Sequence, residues 1–183
     1  MTKRCVVGYD LNEKNCQISY YNENMEEPET MEVASDNYQI PLILGYYKDH
    51  WVYGQEAKQL MEVTKQSFFE GIKYAKAGNH LNDISKAIGA YAAKFNYGIV
   101  RDLVGHGIGT HLHEDPQIPN FPQKRRGIKL MPGMTLAIEP MINLGRADVA
   151  WEDDEWTVVT MDGSLSAHYE NTILITDGEP EIL

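Results

Sequence analysis

The chain has 183 residues, 16 basic against 27 acidic, a net charge of −11 and two cysteines. That length is one ordinary domain or two small ones, large enough to bury a core without staples. Cys5 and Cys16 are too few for a disulfide framework, which fits a reducing compartment, and the acidity repels phosphate backbones and acidic membrane surfaces, so neither nucleic acid nor membrane is an expected partner.

From Met1, the first apolar stretch is Cys5 to Tyr9, too short for a signal-peptide core or a spanning helix, and no later apolar run approaches the length of a span. A soluble cytoplasmic protein starting at Met1 is expected. Residues 1–57 hold 10 acidic and 4 basic side chains, about half of the net excess. They are rich in tyrosine and β-branched residues. Cys5 to Tyr9, Gln17 to Tyr21, Ile40 to Tyr47 and Trp51 to Tyr53 read as short strands separated by polar turns. From Glu56 the period changes. Met61, Phe68, Ile72 and Ala75 mark one face of a first helix that Gly78 can end; Ile84, Ile88, Tyr91 and Phe95 mark a second, stopped by Asn96-Tyr97-Gly98. Strands then follow at Ile99 to Val104, Thr135 to Ile142, Trp156 to Met161 and Leu165 to Thr176.

The chemistry concentrates in the second part. Gly105-His106-Gly107-Ile108-Gly109-Thr110-His111-Leu112-His113-Glu114-Asp115-Pro116 sets three histidines within eight positions, in what reads as a glycine loop after a strand. The alternative is a solvated loop with satisfied imidazoles. Leu136-Ala137-Ile138-Glu139-Pro140-Met141-Ile142 places a carboxylate inside an apolar strand, and Ser166-Ala167-His168-Tyr169-Glu170-Asn171-Thr172-Ile173 does so again. A carboxylate facing a core is costly unless paired or bound to a cation; otherwise both glutamates face solvent. One histidine with two glutamates is a mixed nitrogen and oxygen set suited to Zn, Mn, Fe or Co, and to metal-assisted hydrolysis.

These motifs, together with Met131-Pro132-Gly133-Met134-Thr135 and Trp156-Thr157-Val158, resemble the C-terminal half of type I methionine aminopeptidases, over about residues 56–183. The resemblance implies an α+β class: the C-terminal half of the pita-bread (creatinase/aminopeptidase) fold, with an N-terminal antiparallel β-meander. It implies that His106, Glu139 and Glu170 bind divalent metal, that Glu139 also shuttles the proton, that His113 hydrogen-bonds the substrate carbonyl, and that Trp156 walls the methionine pocket. The reaction implied is hydrolytic removal of Met from peptide N-termini. His111 and His168 receive no role.

Residues 1–57 are similar instead to the opening strands of heat-shock chaperone ATPases of the actin-like fold, on Cys5 to Leu11, Gln17 to Tyr21, Ile40 to Gly45 and Trp51 to Ala57. The chain then reads as a chimera of segments 1–57 and 58–183. Asn12-Glu13-Lys14-Asn15 is a poor phosphate nest, so no ATP binding is expected. The resemblance gives the aminopeptidase's missing half two aspartate ligands; Asp10 could imitate the first, whereas Tyr21 occupies the place of the second. The expectation is at most one ion per chain, impaired or absent peptidase activity, and a possible homodimer. The alternative is a non-catalytic structural or binding module.

Overall fold

The computed structural model describes residues 55–183, with side chains from Glu56 onward; before them it describes the backbone of six strands. These are β1 (Cys5–Leu11), β2 (Asn15–Asn22), β3 (Glu29–Thr30), β4 (Ile40–Pro41), β5 (Leu44–Tyr47) and β6 (His50–Tyr53). β2 pairs antiparallel with β1, β3 and β4, and β5 pairs antiparallel with β6. The side chain of Asp10 and residues 12–14 lie outside the described residues.

Helix α1 (Gln55–Ile72) buries Leu60, Val63, Thr64, Ser67, Phe68 and Ile72, a stripe at helical spacing. The sequence pointed to Met61 as the start of that stripe, but Met61 is 49% exposed. The stripe lies one residue earlier because two polar residues can join it: Thr64 Oγ1 donates to the Leu60 carbonyl and Ser67 Oγ to that of Thr64, each at 2.7 Å. The helix ends at Ile72, ahead of Gly78, whose φ of +94° serves the turn into α2 (Leu81–Ala92). Asp83 accepts the His80 N–H at 2.9 Å, capping α2. A short 3₁₀ turn (Ala93–Phe95) then stops at Asn96, which takes the left-handed conformation as expected from Asn96-Tyr97-Gly98. Tyr91 and Phe95 are only half buried; their rings meet at a tilt beside the core, and Phe95 stacks on Tyr97.

Ten short strands follow: β7 (Gly98–Ile99), β8 (Gly105–Ile108), β9 (Glu114–Ile118), β10 (Thr135–Ile138), β11 (Met141–Asn143), β12 (Val149–Trp151), β13 (Val158–Thr160), β14 (Ser166–His168), β15 (Asn171–Leu174) and β16 (Glu181–Ile182). β16-β15-β10-β8-β9 form a five-stranded sheet, β14-β11-β7 a three-stranded one, and β12-β13 a separate hairpin. Phe68, Ile72, Ile84 and Ile88 of the helices pack on Ile118, Leu136, Ile138 and Ile173 of the larger sheet, forming the main core. A second cluster joins Leu60 and Ala92 to Ile142 of the smaller sheet.

The structure corrects the sequence in two places that matter for the site. The single strand expected over Thr135 to Ile142 is two, β10 and β11, in different sheets, and Leu165 to Thr176 divides likewise into β14 and β15. Pro140, without an N–H to give a ladder, marks the first break. The loop expected over Gly105 to Pro116 is a hairpin of β8 and β9, so His106 sits on a strand, His111 in the turn and His113 just before β9.

Candidate metal centre

Along β10, Leu136 and Ile138 point into the helix-facing core, so period-two alternation sends Thr135, Ala137 and Glu139 to the opposite face. His106 of β8 is the direct cross-strand partner of Ala137 and shares that face. On the other side Ile138 pairs with Asn171, and beyond the sheet change Met141 pairs with His168. The register is the same before and after the break. Glu139 therefore stands opposite Glu170, and Pro140 opposite Tyr169, whose N–H donates to the Pro140 carbonyl at 3.2 Å.

Neighbouring groups fix each donor. Gly105 and Gly107 flank His106, and a Cβ on either would collide with backbone oxygen, of Ala137 in one case and Asp115 in the other. Only glycine lets β8 lie this close to both partners. Fully buried Asn120 donates Nδ2 to the Glu139 carbonyl at 3.1 Å. Tyr169 wedges edge-on against Phe68, with ring centroids 5.4 Å apart, which anchors the chain just before Glu170.

The result is a convergence of His106, Glu139 and Glu170, each offering one ligand atom, with all three atoms within 4.8 Å of one another. His106 Nδ1 lies 2.9 Å from the Gly107 carbonyl oxygen. A carbonyl only accepts, so Nδ1 carries the hydrogen and the other nitrogen of a neutral ring presents its lone pair. That nitrogen, Nε2, faces Glu139 Oε1 at 3.5 Å, with both side chains largely buried. A lone pair aimed at a carboxylate oxygen, with a second carboxylate across the strand, is repulsive unless a proton or cation lies between them. Two ligand bonds of about 2.1 Å at a near-tetrahedral angle put their donors roughly 3.4 Å apart. The donor set and its spacing fit a divalent ion, and the backbone carbonyl behind His106 is the usual outer partner of a ligating imidazole.

The structure also brings in His168, which the sequence reading left without a role. Its Nε2 lies 3.6 Å from Glu139 Oε2 and 3.9 Å from Glu170 Oε2. The polar contact with Glu139 raises its pKa above the ordinary histidine value; burial opposes this and the charges of Glu139 and Glu170 reinforce it. The signal was present in the spacing, since His168 and Glu170 are two positions apart in extended chain and share a face.

Of the other candidates, His113 is exposed and its ring lies against that of His106, with centroids 4.1 Å apart, at the rim of the cluster. His111 is exposed in the hairpin turn, where its N–H donates to Glu114 Oε1. Trp156 is 88% exposed and follows an Asp154-centred turn, so its indole packs against almost nothing.

Residues 44–177 match the model of the family described as metallopeptidase family M24. The chain is 56% identical over 129 residues to a methionine aminopeptidase of Clostridium acetobutylicum, covering 70% of this chain and 52% of that protein. It is 46% identical over 145 residues to methionine aminopeptidase 1 of Bacillus subtilis, covering 76% of this chain and 58% of that one. Among solved structures, the methionine aminopeptidase of Thermotoga maritima superposes with a TM-score of 0.70 at 36% identity, over 92% of this chain and 61% of that one. The chain thus spans about half the length of the curated relatives it matches. These likenesses bear out the α+β, pita-bread expectation and the aminopeptidase resemblance of the C-terminal part. They lend no support to the chaperone-like reading of residues 1–57, and the family match already begins at residue 44, within that segment.

Proposed function

This chain belongs to metallopeptidase family M24, and on that premise we propose that it is a methionine aminopeptidase-like hydrolase of peptide N-termini whose activity is strongly reduced. The observation that carries the reading is the convergence of His106, Glu139 and Glu170 on one face, beside the three inner strands of the five-stranded sheet. Membership of the family implies dependence on a divalent metal. These three residues would hold one ion per chain, of Mn, Co, Fe or Zn. When bound, the ion would supply Lewis acidity to a carbonyl and to water.

The chain's own residues have separable tasks in this reading. Glu139, held by Asn120 through its main chain, would take a proton from water on a carboxylate oxygen and pass it to the departing amine. His113 would donate a hydrogen bond to the scissile carbonyl oxygen. Trp156 is assigned to the methionine pocket, where the substrate's side chain would cover its free face. The three donors that converge among the described residues suit one bound ion.

Asp10 is proposed as a further ligand, and no ATP binding is part of the reading. A twofold homodimer is part of the proposal, supported by the exposed Leu112, Met131, Trp151 and Met161.

The test is turnover of a Met-Ala-type peptide with Mn or Co present. The reading predicts a rate far below an ordinary enzyme's ~10 per second, with the remainder lost in Glu139→Gln. Turnover at an ordinary rate, or residual activity indifferent to Glu139→Gln, overturns it.

A further inference from the structure

Beside α2 lies an open groove of about 840 Å³, lined by Ser85, Arg101, Gln117, Phe121, Lys124 and Arg125 among others and by none of the three metal-centre donors. We propose that this groove is a second binding site, for a small molecule bearing oxyanion groups, phosphate or carboxylate.

The first observation is electrostatic. In a chain of net charge −11, three cations meet at one groove that no carboxylate of the described residues lines. Among the described residues none of the three is in an ion pair. Like charges gathered without counter-charge raise the energy of the free protein, and an anion relieves it.

The second observation is the preorganisation of that charge. Asn82, itself buried, donates Nδ2 to the carbonyls of Gln123 (2.8 Å) and Arg125 (2.9 Å), and its Oδ1 accepts the Gln123 N–H at 2.8 Å. Every hydrogen-bonding position of that amide except one oxygen lone pair is thus spent on holding the segment that presents Lys124 and Arg125. Arg101 is held in turn by its guanidinium lying over the Phe121 ring, 5.3 Å from the centroid. Anchored cations lose less freedom on binding than free ones.

The third observation is independent of charge. Ser85, 0% exposed on α2, lines the groove, and its Oγ has no hydrogen-bond partner among the described residues. A buried hydroxyl left unsatisfied costs free energy that an acceptor oxygen on a ligand recovers. The amides that open α2 are not the anchoring element, because the N–H groups of Leu81 and Asn82 already donate to the carbonyls of Ile128 and Arg126. The groove's volume lies in the range of small-molecule sites, and Pro119, Pro122 and Leu81 give it an apolar wall for an organic body.

The probes are pyrophosphate and citrate, titrated by calorimetry into chelator-treated, metal-free protein. One or both should bind at a single site with a dissociation constant below about 1 mM; pyrophosphate alone identifies phosphate as the ligand chemistry and citrate alone carboxylate. Arg101→Ala combined with Lys124→Ala should weaken binding at least about tenfold. Ser85→Ala, a substitution that favours the helix, should weaken it about threefold or more while leaving the melting temperature of the free protein unchanged or higher. Absence of binding by both anions at about 10 mM, or equal binding by wild type and the double variant, overturns the proposal.

Discussion

Glu139 and Glu170 face each other at the two points where neighbouring strands leave the five-stranded sheet for the three-stranded one. Opposed carboxylates on adjacent strands repel, and here the largely buried Glu139 also faces the Nε2 of His106. The fold keeps this arrangement by register, by the Tyr169 N–H on the Pro140 carbonyl and by Asn120 on the Glu139 carbonyl. Glu170→Gln should therefore leave the metal-free protein as stable as before, or more stable by up to about 1 kcal/mol, while abolishing stabilisation by added divalent ions. Urea unfolding with and without metal measures both; a loss above about 1 kcal/mol in the metal-free state would contradict the repulsion.

Phe68 connects the core to the site. It is fully buried and meets Tyr169 edge-on, one residue before Glu170. Phe68→Ala should cost about 3–5 kcal/mol by cavity formation and should weaken metal binding as well, because Tyr169 loses the ring it rests on. Denaturant midpoints and metal titration of the same variant check the pair of effects; a destabilised variant with unchanged metal affinity would show that Tyr169 does not position Glu170.

Asp162 sets an acid limit on the loop after β11. The Arg146 N–H donates to its Oδ2 at 2.7 Å and the Ser164 N–H to its Oδ1 at 3.0 Å. The backbone bond from Arg146, with Ser164 next, lowers its pKa from 3.8 to about 2. A depressed carboxyl stabilises the fold fully above pH 3.8 and loses that contribution as pH falls through about 2. The stability difference between wild type and Asp162→Asn should be flat above about pH 5 and shrink steadily below pH 4. Equilibrium unfolding across that range decides it, and a difference that grows on acidification would contradict the assignment.

Assembly is open to a mass measurement. Leu112, Met131, Trp151 and Met161 are exposed, and a twofold pairing that buries them should give light scattering at twice 20.8 kDa. Met161→Glu should shift it toward the single-chain mass. A wild-type chain at 20.8 kDa across micromolar concentrations rejects the dimer.

Much of this architecture was legible in the residues. Helical spacing located both helices, Asn96 stopped the second, and two carboxylates embedded in apolar sequence singled out Glu139 and Glu170, while the choice of His106 among three histidines rested on the aminopeptidase resemblance. The sheet change at Glu139-Pro140 was not read, because both halves are extended chain and alternation is blind to which sheet a strand joins. Strand β9 was missed since Glu114-Asp115-Pro116-Gln117 has the composition of a loop and is ordered by its pairing with β8. Met61 was preferred to its neighbours because burial of Thr64 and Ser67 depends on hydrogen bonds back into the helix that no hydropathy pattern reports. His168 sits two positions from Glu170, a spacing that could have marked it, but its nearer partner Glu139 lies on another strand.

Whether His106, Glu139 and Glu170 form one preassembled metal site is decided by calorimetric titration of Mn, Co and Zn into the metal-free chain, beside His106→Ala. Wild type should bind one ion per chain, with a melting temperature that rises by the equivalent of about 2.7 kcal/mol at 100 times the dissociation constant, and the variant should lose both. A wild-type chain whose melting temperature ignores every divalent ion, or a variant that binds as wild type does, would contradict it.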